Sequence, residues 1–409
     1  MHLVVFEGSL WPTFAPIAIN RPAFWLLSGT TTLLEKQIRY MNPSRLTLWI
    51  RPELEAWTRE VIVPRLKLPV KINEPLDDEP AVLTSARTLH FSRFEQPDQE
   101  CVIHDDGLVR IAYVKRPGLS LSDVTERNKK WLSILDLPDA PEQGRLAGFT
   151  WDLINWNEES LVSDSLTMPV VENGLPKGAY HVIDELNVLV DAEVKIEPGV
   201  VIDASRGPVM LDRGAWIGAN SVIEGPCYIG EYSQVMPLTS VRRGTTIGPG
   251  CKIGGAVSNS IFMGFTSKQF EGYVGDSYIG RWTTLGSGTT TANAKATYGE
   301  VSVQIGSSHH KTGRRVMGIL MGDHTKTSIC TRFVPGAYVG YCSMLVGAGL
   351  TPRFVPSFSY WSDSGVTKFN IAKGAEVAQR VHDRRDRQWS SLDDDVHRYA
   401  SQAAMECEK

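Results

Sequence analysis

Three groups of residues carry side chains that can act on a phosphate, an amine or a proton. Arg21 lies in EGSLWPTFAPIAINRPAFWLLSG, a long loop after the first predicted strand, and Lys36 lies on the helix that follows. A guanidinium and an ammonium so placed suit phosphate oxygens. The second group is TSKQFEGYVGDSYIG, residues 266–280, with Lys268, Glu271 and Tyr273. The third is a long polar stretch with Asn293, Lys295 and Tyr298, followed by His324 in GDHTK. An imidazole is the side chain best matched to general-base work near neutral pH. Glu271, with a carboxylate pKa ordinarily near 4.3, is a weak base by comparison. Each has a plainer reading: Arg21 and Lys36 as surface charges, His324 as a corner hydrogen bond to backbone, and His309 and His310 as solvated loop residues.

Motifs that would fix the chemistry outright are missing. There is no G-x-x-x-x-G-K-[ST], no convincing G-x-G-x-x-G after the first strand, no G-x-S-x-G and no H-E-x-x-H. The six cysteines include no C-x-x-C pair and read as reduced thiols. Metal ligands cannot be placed, since Asp105 and Asp106 read equally as turn residues.

The elements that position these residues follow from pattern. The chain has 409 residues with 42% hydrophobic and 22% charged, enough for two or three domains with proper interiors. A formal charge of −4 gives no basic face to recruit nucleic acid or an anionic membrane. No apolar run is long enough to cross a bilayer and no secretory leader is visible, so a cytoplasmic protein is expected. In residues 1–165, HLVVFE, RLTLWI, PAVLTSA and LVRIAYVK read as strands. LLEKQIRYM, PELEAWTREVI, SLSDVTERNKKWLSIL and TWDLINWNEESLV read as helices. This alternation predicts an α/β domain with a largely parallel sheet, its ligand at the carboxyl ends of the strands. A linker is expected over 166–185, and amphipathic helices suited to packing on a neighbouring subunit over 362–409.

Residues 186–361 carry a repeat of six. Leu211, Ile217, Ile223, Ile229, Val235, Val241, Ile247 and Ile253 are all aliphatic. Two residues before each of the last seven stand Ala215, Ser221, Cys227, Ser233, Thr239, Thr245 and Cys251, all small. Neither a helix nor a simple strand keeps such a stripe on one face; a β-helix with three short segments per coil does. The phase returns at Ile279 and Leu285, and again at Met321, Phe333, Val339 and Leu345. From Ile253 to Ile279 it loses step, which predicts an irregular coil at 266–280, and the stretch between Leu285 and Met321 predicts a projecting loop.

PIAINRPAFWLLSGTTTLLEK and WDLINWN in the first part, with GYVGDSYIG, LGSGTTTANAKATYGEV, MGDHTKTSICT and FVPSFSYW in the repeat, resemble the GlmU-like sugar nucleotidyltransferases. The resemblance covers nearly the whole chain. It implies a Rossmann-like nucleotidyltransferase domain followed by a left-handed β-helix of hexapeptide acyltransferase type and a short helical tail, assembled as a homotrimer. It also implies transfer of a nucleotidyl group from a nucleoside triphosphate to a sugar 1-phosphate with Mg2+, with Arg21 cradling phosphate and Lys36 reaching the nucleotide. The β-helix would transfer an acetyl group from acetyl-CoA to an amino sugar, with His324, Lys268, Glu271, Tyr273, Asn293, Lys295 and Tyr298 as site residues. The family pattern N-K-A-H-D-G-F-L-G departs here: Phe270 stands where the histidine base is expected, and Ala256 where G-G-E-V has its glutamate. Three functions therefore stand in order: a sugar-1-phosphate nucleotidyltransferase, an N-acetyltransferase, and a non-catalytic sugar-nucleotide-binding or scaffold trimer.

Overall fold

The computed structural model describes residues 1–125, 128–168 and 174–409. Apolar residues alternate with little interruption in HLVVF, RLTLW and AVLTS, so each strand can be covered on both faces. Strands His2–Phe6, Arg45–Trp49, Val70–Ile72 and Ala81–Ser85 run parallel, and Leu108–Val114 and Cys101–Asp105 add an antiparallel edge. Helix Leu33–Met41 starts at a reciprocal Thr32–Glu35 cap and ends where Asn42 turns left-handed at φ 48°.

Two expected helices are shorter than their patterns. PELEAWTREVI folds as short 3-10, α and π turns over 52–65, because only Leu54, Thr58 and Ile62 face inward and Pro64 blocks extension. Of 120–135, Leu121–Asp123 is a single 3-10 turn and Lys129–Leu135 a helix; the part of the prediction at 126–127 lies outside the described residues. TWDLINWNEESLV forms two consecutive helices, Thr150–Asn155 and Asn157–Ser165. The central part of the predicted linker, 169–173, is likewise outside the described residues.

From His181 the chain coils as a parallel solenoid with three faces, sheets of six, nine and five strands. Leu211, Ile229 and Ile247 stack in register, 18 residues apart, which is three sixes per coil. Every residue of the aliphatic series from Leu211 to Ile253 is fully buried, and the small series beside it is buried too. The architecture is an α/β domain, a parallel β-helix and a helical tail, in the expected order.

The loss of step has a simple cause. Coils shorten there, with Phe262 following Ile247 after 15 residues and Ile279 following Phe262 after 17. In this register Lys268 takes the inward slot above Ile253. The expected projecting loop begins later than Leu285, because Thr290–Thr291 still pairs with Arg332–Phe333 of the solenoid; the hairpin Ser302–Ile305 with Ser308–Lys311 that follows packs Val303 and Ile305 into a buried cluster.

The tail folds back on its own chain. A hairpin, Ser359–Ser362 with Gly365–Lys368, closes the last coil, and helices Ile371–Asp383 and Ser391–Cys407 fold back. Val396 enters the core of the α/β domain, and Ala400, Ala403 and Ala404 pack in a cluster shared by domain and solenoid. That apolar face buries against the tail's own chain, which satisfies its amphipathic pattern.

Candidate functional site

The carboxyl ends of the parallel strands are sealed by the chain's own groups. Glu7, directly after the first strand, accepts from Arg51 at 3.0 Å on each oxygen and from the Ala23 backbone N–H at 2.9 Å. The Arg51 guanidinium also donates to Ala18 O at 2.8 Å and lies 3.8 Å over the Trp11 ring. The space left beside Ser85, Arg87 and Trp131 is about 70 Å³, below the several hundred Å³ of small-molecule sites.

Lys36 is buried, with its ammonium on both oxygens of Asp164. Arg39 meets the same carboxylate at 2.8 Å, and the Thr30 N–H at 2.7 Å. Lys36 therefore ties its helix to Asn157–Ser165 and does not share a cavity with Arg21.

Arg21 points the other way, into a cavity of about 540 Å³ where the α/β domain, the solenoid and the tail meet. Its guanidinium pairs with Asp323, whose carboxylate also accepts from Asn20 at 3.2 Å and from the Arg281 backbone N–H at 2.8 Å. Burial holds the Arg21 pKa down to about 9, and Arg281 nearby adds to this. Next along the corner is His324, at φ 59° and almost wholly enclosed, and it lines the same cavity. Among the described residues its Nδ1 has no hydrogen-bond partner, and burial keeps its pKa well below the ordinary value, so the ring is neutral at pH 7. Two residues expected to serve different reactions thus face one space. Missed from sequence were Arg65, Arg281, Arg387, Trp57 and Trp389, whose common cavity depends on contacts across more than 300 residues.

The opening coil presents a different picture. Lys268 is turned inward, and its ammonium donates to Gly254 O at 2.6 Å and to Phe270 O and Gly272 O at 3.0 Å. Burial pushes its pKa down to about 8. Phe270 is 58% exposed. Glu271 is exposed and bonded to Ser287, which lowers its pKa. Tyr273 OH meets Asn293 at 3.3 Å, and Asn293 in turn donates to Asp276 at 2.7 Å, where Arg314 also pairs at 2.9 Å. Lys295 caps Glu300 O within its own loop, and Tyr298 is 76% exposed. His309 and His310 lie on the hairpin, His310 beside Phe149 at 4.8 Å.

Several carboxylates at these sites are already committed. Glu7 and Asp323 are committed as described, and Asp393 is spent on the Ser390 cap at 2.8 Å. Among the described residues no three His, Cys, Asp or Glu gather as a metal site, and no helix is long and apolar enough to cross a membrane.

Comparison with known proteins places this geometry in context. Residues 3–168 match the family described as sugar nucleotidyl transferase. The bifunctional protein GlmU of Methanocaldococcus jannaschii is 36% identical over 182 residues, 44% of this chain and 43% of that protein. A bifunctional sugar-1-phosphate nucleotidylyltransferase/acetyltransferase of Sulfurisphaera tokodaii is 34% identical over 160 residues, 39% of this chain and 38% of that one. The chain spans about two fifths of the length of these relatives. A solved UDP-N-acetylglucosamine acyltransferase from Campylobacter jejuni matches 54% of this chain and 94% of its own at 9% identity, with a TM-score of 0.27. Residues 3–168 are thus similar to sugar nucleotidyl transferases, and part of the chain, which joins this segment to a parallel β-helix, is similar to bifunctional GlmU proteins.

Proposed function

We propose that the chain is a GlmU-like transferase that moves a nucleotidyl group from a nucleoside triphosphate to a sugar 1-phosphate, releasing pyrophosphate. The observation that carries this is Arg21: it leaves a sugar nucleotidyl transferase-type domain and enters a 540 Å³ cavity among further guanidiniums. Phosphoryl chemistry needs little from a protein beyond position and positive charge, which this arrangement supplies. Arg21 would contact phosphate, while Lys36, held by Asp164, would act as a positioning residue for the helix beneath that loop. A cytoplasmic homotrimer is part of the same reading.

A second reading, acetyl transfer from acetyl-CoA to an amino sugar, is favoured by His324, a neutral imidazole with a free nitrogen on the same cavity. Against it, Phe270 offers no proton acceptor at the opening coil, where Tyr273, Asn293, Lys295 and Tyr298 would meet the sugar. A paired assay decides. Sugar 1-phosphates with nucleoside triphosphates are tested for pyrophosphate, and amino-sugar phosphates with acetyl-CoA for free thiol. Pyrophosphate without thiol is expected. Thiol alone supports acetyl transfer, and silence in both across broad panels leaves a binding or scaffold role.

A further inference from the structure

The junction cavity has a composition that its position does not require. Arg65 and Arg387 stand exposed at its rim, and Arg281 lies deeper with its Nε lacking a hydrogen-bond partner. Among the described residues no ion pair reaches any of these three. The acidic groups present are Glu231, Asp323 and Asp393, and the last two are already bonded as described. Three guanidiniums without an ion-pair partner around one space make a positive potential there that favours an anion. Burial and the neighbouring Arg65 and Arg387 accordingly hold the Arg281 pKa down to about 10.

Aromatic rings fill the rest of the wall. Phe265 stacks on Trp282 at 4.2 Å and 9°, and Trp282 on His382 at 3.9 Å. Arg281 and Arg387 sit over the Phe265 face at 5.2 and 5.7 Å. Trp57, half-buried on the opposite domain, has no ring partner among the described residues, and Trp389 from the tail presents a further half-buried ring. Guanidiniums that bind oxyanions and rings that stack on planar groups define a ligand with both features.

We infer that this three-way junction is a binding site for a nucleoside diphosphate group, with the diphosphate on Arg281 and Arg387 and the base against Trp57 or Trp389. The site is separate from the sealed strand ends and is built from all three parts of the chain, so a bound ligand bridges them. The inference rests on the reading above only for the expectation that the chain meets nucleotides.

Titration calorimetry and tryptophan fluorescence on the full chain test it, with UDP, ADP, inorganic diphosphate and uridine as probes. A nucleoside diphosphate should bind and quench tryptophan emission, diphosphate alone should bind more weakly, and uridine alone weakest. Arg281→Gln and Arg387→Gln should each weaken nucleotide binding roughly tenfold, the loss of one charge-assisted contact. Arg387 is exposed on the tail, so its variant should keep the wild-type circular dichroism and melting curve. Absence of binding by either nucleotide at millimolar concentration, or binding unchanged in both variants, overturns the inference. The pyrophosphate assay separates the two claims: pyrophosphate release with nucleotide binding unchanged in Arg281→Gln and Arg387→Gln overturns this inference alone, and nucleotide binding lost in those variants without any pyrophosphate release overturns the transferase reading alone.

Discussion

Lys268 occupies a core slot in a column where Ile253 precedes it, and it does so because three carbonyl oxygens at that corner need a donor. Replacing it with methionine keeps the volume and removes the donor, leaving Gly254, Phe270 and Gly272 without their contact. Lys268→Met is expected to lower stability by about 2–4 kcal/mol, measured by urea unfolding; an unchanged midpoint would show that the ammonium is dispensable. The buried histidines set a second expectation. Burial lowers the pKa of His324, His382 and His397, and takes His90 to about 4. These rings are neutral in the fold, while in the unfolded chain they take protons below pH about 6.5. Their contribution to stability is therefore flat above that pH and falls on acidification, by up to roughly 1.4 kcal/mol per pH unit for each of His90 and His324. Melting temperatures measured from pH 7.5 to 5 should show this fall, and a flat profile would contradict it. The aliphatic and small slots were legible residue by residue. Lys268 was not, because a shortened coil shifts the phase and makes an inward lysine look like an exposed one.

The solenoid coils were legible as elements because one six-residue rule repeats along a single stretch of chain. The tail helices were legible as amphipathic, but their docking partner was not, since Val396 and Tyr399 meet residues more than 300 positions earlier. The last helix is pinned at its end by Glu408, which accepts from Tyr338 at 2.7 Å and from Ser357 Oγ at 2.6 Å and N–H at 2.8 Å. Burial raises the Glu408 pKa. Glu408→Ala orphans these donors and should free residues 391–407. Faster amide exchange confined to that helix, at a cost of about 1–3 kcal/mol, is the expected outcome. Unchanged protection there would mean that the apolar face alone holds the tail. At this scale parallel strands predict an open crevice, and the Glu7–Arg51 pair that narrows it comes from two distant loops.

At the scale of the whole molecule, domain and solenoid share a core rather than touching lightly. Phe14 and Trp151 pack in one cluster with Tyr278, Tyr338 and Ala403. Tyr278 OH accepts from Leu27 N–H and donates to Leu27 O, each at 2.8 Å, and Asn157 bridges Gly29 N–H at 2.7 Å to Gly244 O at 2.8 Å. Tyr278→Phe leaves both Leu27 groups buried without partners, at about 1–3 kcal/mol. Because the core is shared, that loss should lower one common calorimetric transition; a shift in only one of two separate transitions would show independent domains. The transferase reading depends on this unity, since Arg21 reaches its cavity only through it. The most direct test measures pyrophosphate release that requires both a nucleoside triphosphate and a sugar 1-phosphate, in wild type and in Arg21→Gln. The expected result is release dependent on both substrates and lowered by roughly a hundredfold or more in the variant, with cooperative unfolding retained. Release that is absent with every substrate pair, or equal in the two proteins, would contradict the account.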